Sequence, residues 1–273
     1  MSADLRIAVI GCGNMGAALA IGLAGLKDRN LRLTGFDPDA EKLKGLAAKI
    51  GLNTAASPLA AAKDAEVIFL CVKPKLVAGL AAELAPELAP GQVLVSIAAG
   101  IKAADIRAAA GHACPVVRTM PTTTLLVQEG LFAVVFDDPK LTPAQTGLIR
   151  DLLASLGKVY ELSSEAEISA FTAVAGSGPG FMFQLWMGYV EGAVALGFTR
   201  PEAVDMVLRV SLGSAKLALE SGKSLADLYS MVASPAGTTV AGALHLERTA
   251  VRGHIADALK ASFERSEELG RKS

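Results

Sequence analysis

Residues 11–16 read Gly-Cys-Gly-Asn-Met-Gly. This G-x-G-x-x-G pattern constrains the chain more than any other feature because of what flanks it. It follows a short apolar run, Leu5–Ile10, and leads into a helical pattern, Ala17–Leu26. Within six residues a strand must end, the backbone must turn sharply and a helix must begin. Gly11 permits the tight turn. Gly13 keeps the backbone bare towards a ligand, and Gly16 lets helix and strand pack closely. The N–H groups at the helix start, around Asn14 and Met15, carry a partial positive charge and no intrahelical partner. This predicts a cradle for a pyrophosphate, and hence a dinucleotide site.

The first half of the chain continues the alternation. Leu31–Phe36, Glu66–Val72, Gln92–Ile97, Pro115–Arg118, Leu131–Phe136 and Lys158–Glu161 read as strands; Ala40–Ile50 and Leu76–Leu88 read as helices. Continuous apolar strands alternating with helices predict a parallel sheet covered on both faces. Right-handed crossovers make it doubly wound, the Rossmann arrangement. After Glu161 only helical patterns remain: Glu165–Val174, Gly178–Leu196, Pro201–Ser221, Ser224–Val232, Thr238–Leu246 and Ala250–Leu269. The fold class is therefore α/β, with a dinucleotide-binding domain over 1–162 and an all-α domain over 163–273. The helices of that second domain are apolar on more than one face. So short a segment cannot bury them alone, which predicts a homodimer formed through them.

Composition narrows the function classes. Of 273 residues 52% are hydrophobic and 19% charged, with net charge −1. No long basic run exists, so nucleic acid is not an expected partner. The stretch from Gly176 to Phe198 is nearly all apolar, but Pro179 and several glycines interrupt it and no basic flank orients it, so no membrane span is expected. Cys12, Cys71 and Cys114 follow no metal-ligand spacing, and no metal site is expected. The N-terminus runs into a strand pattern with no signal peptide. These features together predict a reduced, cytoplasmic setting.

Further candidate residues lie at the ends of the inner strands, where doubly wound folds bind ligands. These are Val72-Lys73-Pro74, Ala98 and Ala99 within Ser96–Gly100, and Met120-Pro121. Asp37 ends the second strand, where an acid can accept from a ribose 2′-hydroxyl and repel a 2′-phosphate. It can equally serve as a helix N-cap before Pro38 and Asp39. Lys42 and Lys44 are the nearest cations. The expected cofactor is NAD(P)H, with NADH favoured by Asp37.

Two glycine-rich motifs interrupt the helical half, Ala175–Gly180 and Ser234–Thr239, each before a helix. Free N–H groups at such starts suit a small carboxylate. Helix capping alone explains less well the adjacent hydroxyls of Thr238 and Thr239.

Taken together, Gly11–Gly16, Val72-Lys73-Pro74, Ser96–Gly100, Met120-Pro121, Gly176-Ser177-Gly178-Pro179 and Ser234–Thr239 resemble the pyrroline-5-carboxylate reductase family over nearly the whole chain. The resemblance implies a Rossmann domain, a helical dimerisation domain and interlocked dimers that can form larger rings such as a decamer. It implies reduction of 1-pyrroline-5-carboxylate to L-proline. It further implies a substrate site at Ser177, Gly178, Ser234, Gly237, Thr238 and Thr239, with Thr239 as the catalytic hydroxyl on the imine nitrogen. Four departures stand out. Thr122-Thr123-Thr124 replaces the family's Asn-Thr-Pro, Gly180-Phe181 replaces Ala-Tyr, Ala236 replaces Gly, and Asp37-Pro38-Asp39 stands where NADP-using members often have Asn-Arg-Ser.

Iminium reduction needs positioning more than acid–base groups, because the carbon is already electrophilic. The scattered His112, His245 and His254 fit that economy. A hydroxyacid dehydrogenase would need a lysine or histidine acid, and Lys216 and Lys223 lie in patterns of solvated helix faces. A related imine or ketimine reductase and a non-catalytic dinucleotide-binding paralogue remain as alternatives.

Overall fold

The computed structural model describes residues 4–26 and 30–271. Eight strands form one sheet: β1 Leu5–Ile10, β2 Leu31–Phe36, β3 Asn53–Thr54, β4 Val67–Leu70, β5 Val93–Ser96, β6 Val116–Pro121, β7 Gly130–Val135 and β8 Gly157–Glu161. Their order is β3-β2-β1-β4-β5-β6-β7-β8. The helices between them are α1 Asn14–Ala24, α2 Ala40–Ile50, α3 Pro58–Ala62, α4 Pro74–Leu84, α5 Ala103–Ala109 and α6 Pro143–Ala154. Beyond β8 come α7 Ala166–Phe171, α8 Gly178–Ala195, α9 Arg200–Ser221, α10 Leu225–Val232, α11 Thr238–Arg248 and α12 Val251–Arg271.

Period-two alternation divides the sheet's side chains between two cores. Ile7, Val9, Val67, Phe69, Val93 and Val95 face one layer with α1 and α6, while Ala8, Ile10, Ile68, Leu70 and Leu94 face the other with α3, α4 and α5. Both faces of β4 and β5 are buried, which is why these strands read as unbroken apolar runs.

The sheet is not wholly parallel, contrary to the sequence expectation. β7 runs antiparallel to β6 and parallel to β8. Only residues 122–129 join β6 to β7, and a parallel crossover needs a dozen residues or more. β6 also extends beyond Arg118: Met120 pairs with Ala133 and Pro121 with Phe132. Met120 and Pro121 are thus the last residues of a strand rather than a turn after one.

Asp138 holds the sheet's far side together. Its Oδ2 accepts from Arg107 Nε at 2.6 Å and from Val116 N at 2.9 Å, and its Oδ1 accepts from Lys140 N at 2.9 Å. Burial alone would raise this carboxyl's pKa, but the N–H donors and the guanidinium outweigh it and hold the pKa below the ordinary value. Its stabilisation is present above about pH 4 and lost as pH falls through the depressed folded-state pKa. Asp138→Ala strands a half-buried guanidinium and two N–H groups, and should cost about 3 kcal/mol in urea unfolding at neutral pH.

By contacts the chain forms two compact units. One ends at Gly176 and resumes at Phe263; the other is Ser177–Ser262. The division expected near residue 162 lies just past β8, and the first unit takes in α7 and the last turns of α12 as well. In the second unit Val190 of α8 packs on Ala203 and Val207 of α9, flanked by Trp186 and Ala193. That core is small. Leu196, Leu212, Leu219 and Leu225 are each more than 70% exposed in the single chain. Among the described residues no helix is long and apolar enough to cross a membrane.

Candidate active site

The strand order explains how distant sequence motifs become neighbours. β2, β1, β4, β5 and β6 lie side by side and parallel. Their carboxyl ends therefore set Asp37, the glycine loop, Val72-Lys73-Pro74, Ala98-Ala99 and Met120-Pro121 in one row. At about 4.8 Å per strand the row spans roughly 19 Å. The strand order reverses between β1 and β4, the switch point where such sheets open a crevice.

The glycine loop has the shape a pyrophosphate requires. Gly11 has φ +96°, and a Cβ there would lie 2.6 Å from Cys71 O. A Cβ on Gly16 would overlap Gly11 O, so the turn and the close pack of α1 both depend on glycine. Gly13 differs: nothing lies within 4 Å of its missing Cβ. Protein packing does not require a glycine there, but a ligand passing close to the backbone does. Gly13 is the N-cap of α1, with no side-chain cap and no acid in the first turn. No described residue accepts from the N–H groups of Gly13, Asn14, Met15 or Gly16. Four free donors at an uncapped helix start fit an anionic group. Beside them Cys12 is no nucleophile. Burial, with Asp37 nearby, pushes its thiol pKa up to about 11.

Asp37 is half-buried, and its carboxylate is already engaged. Oδ2 accepts from Cys12 N at 2.7 Å and Oδ1 from Asp39 N at 2.9 Å. It ties the end of β2 to the glycine loop. The cap of α2 is instead Asp39, which accepts from Lys42 N. Each Asp37 oxygen retains lone-pair capacity for a hydroxyl. Lys42 Nζ sits 3.0 Å from Asp39 Oδ2, so the nearest cation is paired locally.

Lys73 is the N-cap residue of α4 and Pro74 its first residue, where a missing N–H costs nothing. Lys73 is exposed, Ala98 buried and Ala99 exposed. Next to β6, the Thr122–Thr124 departure is satisfied internally. Thr122 Oγ1 accepts from Leu131 N at 3.0 Å and lies 2.7 Å from Thr124 Oγ1. These hydroxyls close the loop into β7.

Several features escaped the sequence reading. The helical pattern over 165–174 breaks: α7 ends at Phe171, and Thr172–Gly176 is a π-helix. Its Gly176 lies against Met120, since a Cβ there would be 3.5 Å from Met120 Cε. Such π-bulges concentrate at functional sites. Glu165 spans three elements. Its Oε2 is 2.7 Å from Arg118 Nη1 in β6, its Oε1 accepts from Ala103 N of α5 at 2.9 Å, and the residue itself stands at the N-cap position of α7 without a side-chain cap. Residues 62 and 47 apart carry no local signal of that meeting.

In the second unit, Ser177 precedes α8 and its hydroxyl pairs with Ser262 Oγ at 3.0 Å. Gly178 opens α8 with open space at its missing Cβ. Gly237 is the N-cap of α11, and its N–H donates to Ser234 O at 2.9 Å. A Cβ on Gly237 would overlap Ser234 Oγ. Thr238 and Thr239 begin α11, exposed, with no hydrogen bond from either hydroxyl to a described residue. Ala236 has φ +57°, a conformation that penalises a side chain. Ala236→Gly should therefore stabilise this loop by about 1 kcal/mol, read as a raised midpoint in urea unfolding. His245 lies in α11 and His254 in α12, and His112 sits in the turn after α5 with φ +57°. Among the described residues no cluster of His, Cys, Asp and Glu could hold a metal ion.

Comparison with known proteins bears on this arrangement. Residues 165–269 match the model for pyrroline-5-carboxylate reductase dimerisation, and residues 6–100 match that for NADP oxidoreductase coenzyme F420-dependent. The pyrroline-5-carboxylate reductase of Pseudomonas aeruginosa is 37% identical over 264 residues, covering 97% of this chain and 96% of that one. The chain belongs to the pyrroline-5-carboxylate reductase family. Solved members share the fold. The Coxiella burnetii pyrroline-5-carboxylate reductase superposes with a TM-score of 0.89 at 30% identity, covering 98% of this chain and 99% of that one. A Plasmodium falciparum pyrroline carboxylate reductase, solved with NADP bound, gives 0.82 at 25% identity, with 98% of each chain covered. The reductase family thus accounts for both halves of the chain, the glycine-loop sheet and the helical region with its exposed leucines.

Proposed function

We propose that this chain reduces 1-pyrroline-5-carboxylate to L-proline with NAD(P)H, the last step of proline biosynthesis. The observation that carries the reading is full-length relatedness to pyrroline-5-carboxylate reductases, 37% identity over 97% of the chain. The bare, uncapped glycine loop supports dinucleotide use on independent physical grounds.

In this reading residues 1–162 hold the cofactor and 163–273 supply the substrate loops and the subunit interface. Gly13, Asn14, Met15 and Gly16 would take the pyrophosphate through backbone N–H groups, on the turn that Gly11 makes; the N–H of Gly11 itself donates to Phe36 O. Asp37 accepts from the adenosine ribose. Val72, Lys73, Pro74, Ala98, Ala99, Met120 and Pro121 border the nicotinamide, which supplies the hydride. Free N–H groups of the Ser234–Thr239 loop, including that of Thr238 next to Gly237, bind the substrate carboxylate, helped by Ser177 and Gly178. Thr239 donates to or accepts from the substrate nitrogen, and a hydroxyl can serve the imine and the product amine in turn. The exposed leucines of α8 to α10 are covered in a homodimer, which can assemble further into a ring such as a decamer. The enzyme works in the cytoplasm.

Asp37 favours NADH over NADPH, because both oxygens already hold it in place and its charge meets a 2′-phosphate unfavourably. Absorbance at the dinucleotide band, followed with purified protein and 1-pyrroline-5-carboxylate, tests both points. We expect oxidation with either cofactor and a kcat/KM about tenfold higher with NADH, the discrimination of one unfavourable charge contact. Faster NADPH oxidation would refute the Asp37 argument alone. Dinucleotide binding without oxidation would refute the activity.

A further inference from the structure

A cavity of about 370 Å³ lies within the first unit, between the loop after β5, α7 and the last turns of α12. Arg118, Lys102, Glu165, Glu267, Ser169 and Thr172 are among its lining residues. Its size falls near the lower end for small-molecule sites, and its lining is rich in charge.

Charge accounting within the cavity suggests the occupant. Arg118 is 8% exposed. Its Nη1 is spent on Glu165, but its Nε is buried with no acceptor, and no described residue accepts from Nη2. Nε is closed off within the wall, so the donor open to an occupant is Nη2, and a spare donor on a nearly buried arginine that lines a cavity calls for a partner there. Once Arg118 and Glu165 have paired, Lys102 and Glu267 remain, and neither forms an ion pair among the described residues. Among the described residues the cavity therefore offers one cation and one carboxylate without an ion pair, a spare guanidinium N–H donor and the three hydroxyls of Ser169, Thr172 and Ser266. A lone anion would use only half of this set, and so would a lone cation.

We propose that this cavity binds a small α-amino acid as its zwitterion. Its carboxylate meets Arg118 and Lys102, and its ammonium meets Glu267. The wall includes Gly100, beside the candidate nicotinamide border, and Thr172 of the π-helix that packs against Met120. The proposal does not depend on the reductase reading.

The test is calorimetric titration of the full chain, free of dinucleotide, with glycine, L-alanine, L-valine and L-proline. Acetate and methylammonium serve as half-ligand controls. At least one amino acid should bind about tenfold tighter than either control, and Lys102→Met and Glu267→Gln should each weaken it about tenfold. Both positions border solvent, so neither substitution threatens the fold. Amino acids that bind no tighter than acetate would overturn the proposal, leaving a water-filled cavity. So would binding that both substitutions leave unchanged, which would place the amino acid elsewhere.

Discussion

Thr239→Ala is expected to lower kcat by about 10²- to 10³-fold, the usual cost of removing one preorganised donor from a reacting centre. The dissociation constant for the dinucleotide should stay within about twofold, because Thr239 lies in α11 and not in the glycine loop. The fold should be indifferent too. Thr239 is exposed and its hydroxyl makes no hydrogen bond to a described residue. Thr239→Ser keeps the hydroxyl and should recover most of the rate, whereas Thr239→Val keeps the shape and should not. Steady-state kinetics on the three variants, with dinucleotide binding measured separately, checks the assignment. Wild-type turnover in the alanine variant would remove Thr239 from the mechanism.

Gly16→Ala is expected to be among the most damaging single methyls in the molecule. Its Cβ would overlap the carbonyl oxygen of Gly11 and meet Cys71 Cβ at 3.0 Å. Neither a backbone oxygen in a tight turn nor a residue beside a buried strand can yield cheaply. The relief must come from moving α1 away from β1, which opens the core that Leu19 and Leu23 fill. We expect a loss of about 3 kcal/mol or more in urea unfolding, the range of severe core overpacking. Dinucleotide affinity should fall at least about a hundredfold, since the free N–H groups of Gly13 to Gly16 no longer converge. Gly13→Ala makes the informative contrast. Open space surrounds that position, so stability should hold while affinity falls. Equal losses of stability in both variants would mean that the bareness of Gly13 serves folding rather than a ligand.

Much of the architecture was readable because its causes are local. β1, β2 and α2 match the sequence reading residue for residue, since apolar runs and cap residues lie within a few positions of one another. Of the three helices missed, two are short and Ala-rich. α3 has five residues and α5 seven, too few to show a helical period. α6 could have been found: Thr142-Pro143 with Gln145 forms a capping box with proline at the first helical position. The antiparallel turn of β7 also had a usable cue in the eight residues that precede it.

The sequence by itself determined the glycine-loop strand–turn–helix, the candidate crevice residues and the change from alternating to all-helical organisation. Each of these rests on steric rules that act over a few residues. Tertiary structure decided the rest. It spent the Asp37 carboxylate on Cys12 and Asp39, joined Glu165 to Arg118 and Ala103, replaced the end of a predicted helix with a π-turn against Met120, and left a buried guanidinium without its full set of acceptors. Those outcomes depend on which strands lie side by side. Partners tens of residues apart meet only after the sheet order is set, and no local pattern records the meeting.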